Sequence, residues 1–131
     1  MTVFDVWEKV GVWFDMDDGG RVQLHSPTME DLTAIRKQTV MKKVEYKKIE
    51  GKAERFEYDE TNEELQNELF WDTIIINWEN IFDKTGTALP CTKANKVLLM
   101  SRTARFAKFV GEAMKTLQED ELHRTEASEK N

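Results

Sequence analysis

Apolar and polar residues alternate in two short stretches near the start of the chain, over residues 12–16 and 21–25. A period of two is typical of β-strands, whose side chains point to opposite faces. Residues 17–20 lie between these stretches and read Asp-Asp-Gly-Gly, a composition that tolerates the positive φ angles of a tight turn. The pattern therefore predicts a β-hairpin over residues 12–25. The apolar residues within 4–10 fit either a short helix or an irregular strand.

Helical spacing begins after the hairpin. Met29, Leu32 and Ile35 recur every three residues behind a Ser-Pro-Thr start, which predicts a helix over residues 27–38. Residues 40–58 are ambiguous, because apolar residues alternate with charged ones on both sides of a glycine. They fit a charged hairpin or extended segment, whereas the alternative continues the first helix to about residue 50.

The strongest helical signal comes next. Thr61 and Glu64 have the spacing of a capping box, and the apolar residues behind them predict a helix over residues 61–84. The broad apolar face of this helix contains Trp71 and Trp78, which we expect to pack in the core. Three further apolar residues fall on a separate, narrower face: Leu65, Leu69 and Ile76. This second face is either buried within the chain or binds a partner.

Two more helices are predicted, over residues 93–100 and 103–122, and a polar, flexible tail over residues 123–131. The apolar stripe of the last helix consists of Phe106, Val110, Ala113 or Met114, and Leu117. The whole pattern predicts a single, helix-rich α+β domain over residues 1–122. In this domain one or two N-terminal β-hairpins precede a small helical bundle of three to four helices.

Composition and charge narrow the classes of function. The chain has 131 residues, 34% of them charged, and a formal net charge of −6, which argues against a general nucleic-acid-binding protein. No apolar run approaches the ~20 residues of a membrane span. The charge is blocked, with +5 over residues 36–55, −7 over 56–72 and +5 over 93–115. Such blocks neutralise each other within a fold or pair between copies, and we expect a salt-dependent homo-oligomer.

Residues that usually carry chemistry are scarce. The chain has one cysteine, Cys91, and two histidines, His25 and His123, without metal-ligand spacing. Cys91 lies at a predicted helix start, but no base is near it in the sequence. We therefore expect no catalytic residue, no cofactor and no metal. With a single cysteine and no secretory signal, the simplest setting is a reducing cytoplasm.

One segment resembles a known family. Residues 78–100 combine a Trp near a helix end, a D-x-x-G turn, a hydrophobic-Pro-x-Thr helix start, an Asn and a Leu-rich turn: WENIFDKTGTALPCTKANKVLLM. This arrangement resembles the core of the tail assembly chaperones of long-tailed phages and prophages. The sequence FAKFV at residues 106–110 fits the next helix of that family.

The resemblance implies a non-enzymatic role. Such chaperones are small and mostly helical, tend to multimerise, and coat the hydrophobic tape-measure protein until tail-tube subunits polymerise around it. The implied partners are tape-measure-like and tail-tube proteins in the cytoplasm of a bacterial host. The resemblance implies no cofactor, and we expect neither nucleic acid nor a membrane as a partner.

Candidate partner-binding residues combine the resemblance with the apolar and charge patterns, since a protein that holds a helix needs an apolar groove flanked by charge. They are Leu65, Leu69 and Ile76 for the groove, and Arg102, Arg105 and Lys108 for the charge. Two alternatives stay open. The chain could be a minor structural or connector protein of a phage particle, or an unrelated acidic bacterial adaptor protein.

Overall fold

The computed structural model describes residue 2 and residues 11–129, with side chains through residue 122. This part of the chain contains four helices and two antiparallel sheets. In chain order the elements are β1 (Val12–Asp15), β2 (Arg21–Leu24), α1 (Met29–Thr39), β3 (Val40–Ile49), β4 (Lys52–Thr61), α2 (Glu63–Ile74), β5 (Ile75–Glu79), α3 (Lys93–Arg102) and α4 (Ala104–Glu129). The predicted helix or irregular strand within residues 4–10 lies outside the described residues.

The chain forms two compact units, one combining Met1–Pro27 with Trp71–Asn131 and the other consisting of Thr28–Phe70. The first unit contains a three-stranded sheet in the order β1-β2-β5, and the second contains the two-stranded sheet of β3 and β4. That residues 1–122 form a single domain stays a prediction. The same holds for the flexibility of residues 123–131.

The first unit is built on its three-stranded sheet. β2 pairs antiparallel with both neighbours, so that Val22 lies opposite Phe14 on one side and Trp78 on the other. Val22 and Leu24 are both 0% exposed. The alternation of apolar and polar residues in β2 therefore reflects one buried face of the sheet.

α4 supplies further residues of the same core. Its buried side chains recur at three- and four-residue spacing, as the sequence pattern predicts. They are Phe106, Val110, Ala113, Met114 and Leu117. The helix extends through Glu129, beyond the predicted end at residue 122. Thr103 separates it from α3, which ends at Arg102.

Trp78 connects the sheet to α4. The residue is 6% exposed, which confirms that it packs in the core. Its indole ring meets the Phe106 ring edge to face, with ring centroids 5.9 Å apart. The indole Nε1–H donates a hydrogen bond to the carbonyl of Leu89 at 2.7 Å. Because this polar group keeps a partner when it is buried, its burial avoids the usual desolvation cost.

The second unit contains a long hairpin. β3 and β4 have ten residues each and are paired along their whole length. Glu50 and Gly51 form the turn with φ angles of 53° and 81°, and two positive φ angles are characteristic of a type I′ turn. Residues 40–58 therefore belong to a charged hairpin. The alternative that continued the first helix is wrong, because α1 ends at Thr39.

The fold-class prediction is also wrong. It expected a helix-rich α+β chain whose N-terminal hairpins precede a small helical bundle. Over the described residues the structure is an α+β chain with substantial sheet content, and the four helices found there do not form a bundle. The sheets also extend well beyond the N-terminal region, since β5 pairs with β2 from the middle of the chain.

The predicted helix over residues 61–84 is in fact a helix followed by a strand. α2 ends at Ile74, and β5 begins at Ile75. Consecutive β-branched isoleucines at positions 74–76 favour an extended backbone over a helical one. As a strand, β5 also forms backbone hydrogen bonds with β2. A helix over the same residues could not form this pairing.

A buried lysine links α3 to the end of α2. Lys96 is 8% exposed, and its Nζ donates to the Oδ1 and to the backbone carbonyl oxygen of Asp72, at 3.1 and 3.2 Å. The Asp72 side chain is 40% exposed, so water screens the carboxylate end of this ion pair. The main contribution of Asp72 is to satisfy an ammonium group that would otherwise be buried without a partner.

We predict that Trp78→Ala lowers the free energy of unfolding by about 3–5 kcal/mol, because it leaves a cavity beside Phe106. Denaturant unfolding measures this loss. Leu122→Ala is the matched control in the same unit, since Leu122 is 59% exposed. The control should change stability by no more than about 0.5 kcal/mol. A loss near zero for Trp78→Ala would mean that the tryptophan is not a core residue.

A second prediction separates the two partners of the buried ion pair. Asp72→Ala should destabilise the fold by about 1–3 kcal/mol, because it removes the charged acceptor of the Lys96 ammonium. Lys96→Met should cost less, since it removes the buried charge and retains an apolar chain of similar length. The same unfolding measurement ranks the two variants, and the opposite order would contradict this account of Lys96.

Candidate functional site

The apolar residues predicted to bind a partner do not share one helix face. Leu65 and Leu69 lie on α2 and are half-buried, whereas Ile76 lies on β5 and is 39% exposed. The two leucines belong to the Thr28–Phe70 unit and Ile76 belongs to the other unit. The predicted helix would have carried all three, but α2 ends at Ile74. Their contact with a partner stays a prediction.

The three basic candidates lie near the junction of α3 and α4, and all are exposed. Arg102 is the last residue of α3, and Arg105 and Lys108 follow in the first turns of α4. The Arg105 guanidinium Nη2 lies 2.9 Å from the Oδ2 of Asp18, in the turn between β1 and β2. The structure thus connects one of the predicted basic residues to the opening hairpin.

Arg105 also borders an open, largely apolar pocket, which we call the Arg105 pocket. Its volume is about 490 Å³, within the ~300–1,000 Å³ typical of binding pockets. Four chain segments line it: Met16, Asp18 and Gly19; Asn80, Ile81 and Phe82; Leu99 and Thr103; Arg105 and Phe106. Phe106 is buried, whereas Phe82 is 55% exposed. The pocket therefore has an apolar interior and an accessible aromatic side chain.

Local backbone geometry places one wall of the Arg105 pocket. Asn80 follows β5 with a φ of 58°, a left-handed conformation that asparagine tolerates. Its side-chain amide donates to the carbonyl of Gly19 at 3.3 Å. The neighbouring Gly20 is buried, and a Cβ there would lie 3.0 Å from Ile81 and 3.2 Å from Met16. This close approach holds the β1–β2 turn against the residues that follow β5.

The loop after β5 is held by the carboxylate of Asp83. Its Oδ1 accepts hydrogen bonds from the hydroxyl of Thr85 at 2.6 Å and from the backbone N–H groups of Thr85 and Thr87 at 2.9 and 3.0 Å. These bonds, that of the Thr85 hydroxyl first, lower the pKa of the Asp83 carboxyl. The backbone N–H of Leu89 donates to the carbonyl of Ile81 at 2.8 Å. The loop thereby fixes the backbone beside Phe82.

Arg105 and Asp18 give the pocket a charged rim. The hydrogen bond from the Arg105 guanidinium, followed by its positive charge, lowers the pKa of the Asp18 carboxyl. The two side chains are 66% and 57% exposed, so water screens their attraction. Exposed ion pairs of this kind contribute little to stability. Both groups are therefore accessible to a charged partner at little cost to the fold.

A smaller cavity of about 310 Å³ shares two of these residues, Met16 and Arg105. Its other lining residues are Asp15, Asp17, Lys108, Phe109 and Glu112. Lys108, a predicted partner-binding residue, thus lies among acidic side chains rather than on a purely basic surface. The surface around Arg105 consequently presents both signs of charge beside apolar groups.

Cysteine and histidine are the residue types in this chain that most often take part in catalysis or bind metals. Cys91 is half-buried, and this burial raises the pKa of its thiol, which is the opposite of activation. His25 is 5% exposed, and its Nδ1 lies 2.8 Å from the carbonyl oxygen of Ser26. The side chain of His123 lies outside those described. Among the described residues, no group of three or more His, Cys, Asp or Glu side chains is arranged to hold a metal ion.

Sequence reasoning does not identify the Arg105 pocket. It places Ile81 and Phe82 within the predicted helix over residues 61–84. In the structure Phe82 is instead exposed beside the pocket. The available signal is the β-branched run at positions 74–76, which favours a strand and therefore a turn before position 81.

The fold and the pocket define a small α+β protein with an open apolar pocket bordered by an ion pair. None of the helices in the described part of the chain is long and apolar enough to cross a membrane. A family model of the YdaY prophage protein matches residues 28–131. The chain therefore belongs to the YdaY prophage protein family. No curated protein and no solved structure matches it significantly.

The resemblance to tail assembly chaperones implied a prophage protein, and the family match confirms this general expectation. The family match says nothing about tail assembly. The matched region includes the whole 78–100 segment on which the resemblance to tail assembly chaperones depends.

The ion pair at the pocket gives a prediction about pH. The pKa of Asp18 should lie below its ordinary value of 3.8, and Arg105→Gln should raise it towards that value. Because the folded-state pKa is lowered, the pair is present above the ordinary pKa and is lost as the pH falls through the lowered one. Side-chain carboxyl chemical shifts, followed by NMR during an acid titration, measure both values. An unchanged Asp18 pKa in the variant would contradict the pairing.

Proposed function

We propose that this prophage protein is a non-enzymatic tail assembly chaperone that binds a helical segment of the tape-measure protein at the Arg105 pocket. The observation that carries the proposal is an open apolar pocket with charged groups at its rim. Recognition of a helix in a groove needs this combination, because apolar anchor residues enter the groove while flanking charges set the orientation.

The apolar part of the pocket suits such anchors. Ile81, Leu99 and Phe106 provide aliphatic and aromatic surface, and Phe82 offers an exposed ring. An aromatic residue that is exposed in the free protein is typical of the central contacts of protein interfaces. Binding would cover this ring and an apolar stripe of the tape measure at the same time.

The charged part favours reversible binding. Arg105 and Asp18 already pair with each other, so a partner can exchange one ion pair for another without burying a lone charge. A pocket of this size also gives a small interface, which is typical of transient complexes. Reversibility matters for the proposed role, since the growing tail tube has to displace the chaperone.

The resemblance adds independent support. The segment that resembles tail assembly chaperones, residues 78–100, contributes Asn80, Ile81, Phe82 and Leu99 to the pocket lining. The residues that carry the resemblance and the residues that build the pocket therefore overlap. This overlap favours tape-measure binding over a role that leaves the pocket unused. It also moves the proposed contact from the predicted groove of Leu65, Leu69 and Ile76 to the Arg105 pocket.

The test is co-expression with the tape-measure protein of the same prophage. We expect the wild-type chain to keep that protein soluble and to co-purify with it. Phe82→Glu should lower the co-purified amount at least about tenfold, because a carboxylate at the pocket resists burial. Leu122→Glu is the matched control, since Leu122 has a similar exposure of 59% and should leave co-purification unchanged.

Two results would overturn the proposal. In the first, the wild-type chain neither co-purifies with the tape-measure protein nor keeps it soluble. In the second, the chain is recovered as a stoichiometric component of purified phage particles, which would make it a minor structural or connector protein. Equal losses for both glutamate variants would reject the Arg105 pocket as the contact, even if the tape-measure protein is bound.

A further inference from the structure

The exposed ring of Phe82 belongs to a short loop whose two arms are paired. Phe82 and Ala88 form an antiparallel β-bridge, and the backbone N–H of Asp83 donates to the carbonyl of Thr87 at 2.9 Å. We call residues 82–88 the Asp83 loop. Its arms are therefore joined by backbone pairing at Phe82 and at the residue that follows.

The base of the Asp83 loop is anchored to the core. The carbonyl of Leu89 accepts the indole hydrogen bond of Trp78 at 2.7 Å, and the backbone N–H of Leu89 donates to the carbonyl of Ile81 at 2.8 Å. Trp78 is buried against the Phe106 ring. The residues that flank the loop are therefore tied to each other, and one of them is tied to a core side chain.

The tip of the loop is a turn of three residues, Lys84, Thr85 and Gly86. Gly86 has a φ of 86°, and its N–H donates to the carbonyl of Asp83 at 3.0 Å. A three-residue loop that ends on a left-handed residue is a common connection between antiparallel arms. The side chain of Asp83 completes the turn, because one carboxylate oxygen accepts the Thr85 hydroxyl and the N–H groups of Thr85 and Thr87.

The loop is exposed to solvent over its whole length, from Phe82 to Ala88. Water can replace its hydrogen bonds, so they contribute little to the free energy of unfolding of the whole chain. Their effect is local, because three bonds to a single oxygen restrict the backbone conformations of the turn. Hydrogen bonds to a carboxylate are stronger than neutral ones, and the lowered pKa of Asp83 keeps this acceptor ionised at neutral pH.

An exposed aromatic ring on an ordered loop suits a contact that is formed before the partner arrives. A loop that becomes ordered only on binding loses conformational entropy at that step, and this loss lowers the affinity. In the Asp83 loop the order is present in the free chain, and Phe82 lies in the lining of the Arg105 pocket.

We propose that Asp83 is a positioning residue for the partner-binding site, because its carboxylate holds the loop in the conformation that presents Phe82 at the Arg105 pocket. This inference rests on the proposed function and deepens it, since it assigns the order of the contact surface to a residue outside the pocket lining. The tape-measure protein then meets a preformed contact rather than one that becomes ordered around it.

Three variants of the full-length chain, each co-expressed with the tape-measure protein of the same prophage, test this role. Asp83→Ala removes the acceptor and should lower the co-purified tape-measure protein at least about threefold, because the loop loses order in the free chain. Asp83→Asn keeps an oxygen at the same place without its charge and should lose less. Lys84→Ala is the matched control in the same turn, since that side chain takes no part in the three hydrogen bonds, and it should leave co-purification unchanged.

Denaturant unfolding separates a local effect from a general loss of stability. All three variants should unfold close to the midpoint of the wild type, because the loop is exposed. A midpoint for Asp83→Ala that falls as far as that of Trp78→Ala would overturn the positioning role.

Phe82→Ala, alone and combined with Asp83→Ala, shows whether Asp83 acts through the ring. The effects of two residues that act as a unit are not additive. The combined variant should therefore retain as much tape-measure protein as Phe82→Ala alone. Additive losses would overturn the proposal, since Asp83 would then act without Phe82.

A further readout needs no partner. A fluorinated phenylalanine at position 82 reports the surroundings of the ring in the free chain by fluorine NMR. We expect Asp83→Ala to move this signal towards its position in the unfolded chain, whereas Lys84→Ala leaves it in place. An unchanged signal in Asp83→Ala would overturn the inference, whether or not the tape-measure protein binds.

The two readouts separate this inference from the proposed function. If the fluorine signal moves in Asp83→Ala but co-purification is undiminished, the positioning role is overturned and the proposed function stands. If the wild-type chain itself retains no tape-measure protein, the proposed function is rejected, and the fluorine signal alone then decides whether Asp83 positions Phe82.

Discussion

The first unit depends on the burial of Trp78 against Phe106. This contact requires residues 75–79 to be a strand, because only in β5 does the indole lie opposite Val22 and reach α4. The hydrogen bond to the carbonyl of Leu89 then fixes the return of the following loop. This contact positions residues 80–82 close to the turn between β1 and β2. The Arg105 pocket lies beside this approach.

In the proposed function the Arg105 pocket recognises its partner mainly through apolar surface. The Arg105 pocket is concave, and its charged groups are already paired, so a partner gains mainly from covering apolar surface such as Phe82.

Local patterns in the sequence account for part of this structure. The alternation in residues 21–25 reflects the buried face of β2, and the spacing from Phe106 to Leu117 reflects the buried stripe of α4. The helix over residues 61–84 was wrong because apolar spacing fits a helix there, while pairing with β2, more than fifty residues away in sequence, stabilises a strand. The pocket was missed for the same reason, since four separate segments line it. The charge blocks of residues 36–55 and 56–72 could neutralise each other within the fold or pair between copies, and in the structure they partly face each other across the β3–β4 hairpin.

Site-specific photo-crosslinking can determine whether the Arg105 pocket contacts the tape-measure protein. A photoreactive phenylalanine analogue replaces Phe82 in one strain and Leu122 in another, and the prophage is induced before irradiation. We expect a crosslink to the tape-measure protein from position 82 and none from position 122. No crosslink from position 82, or crosslinks of equal yield from both positions, would contradict it.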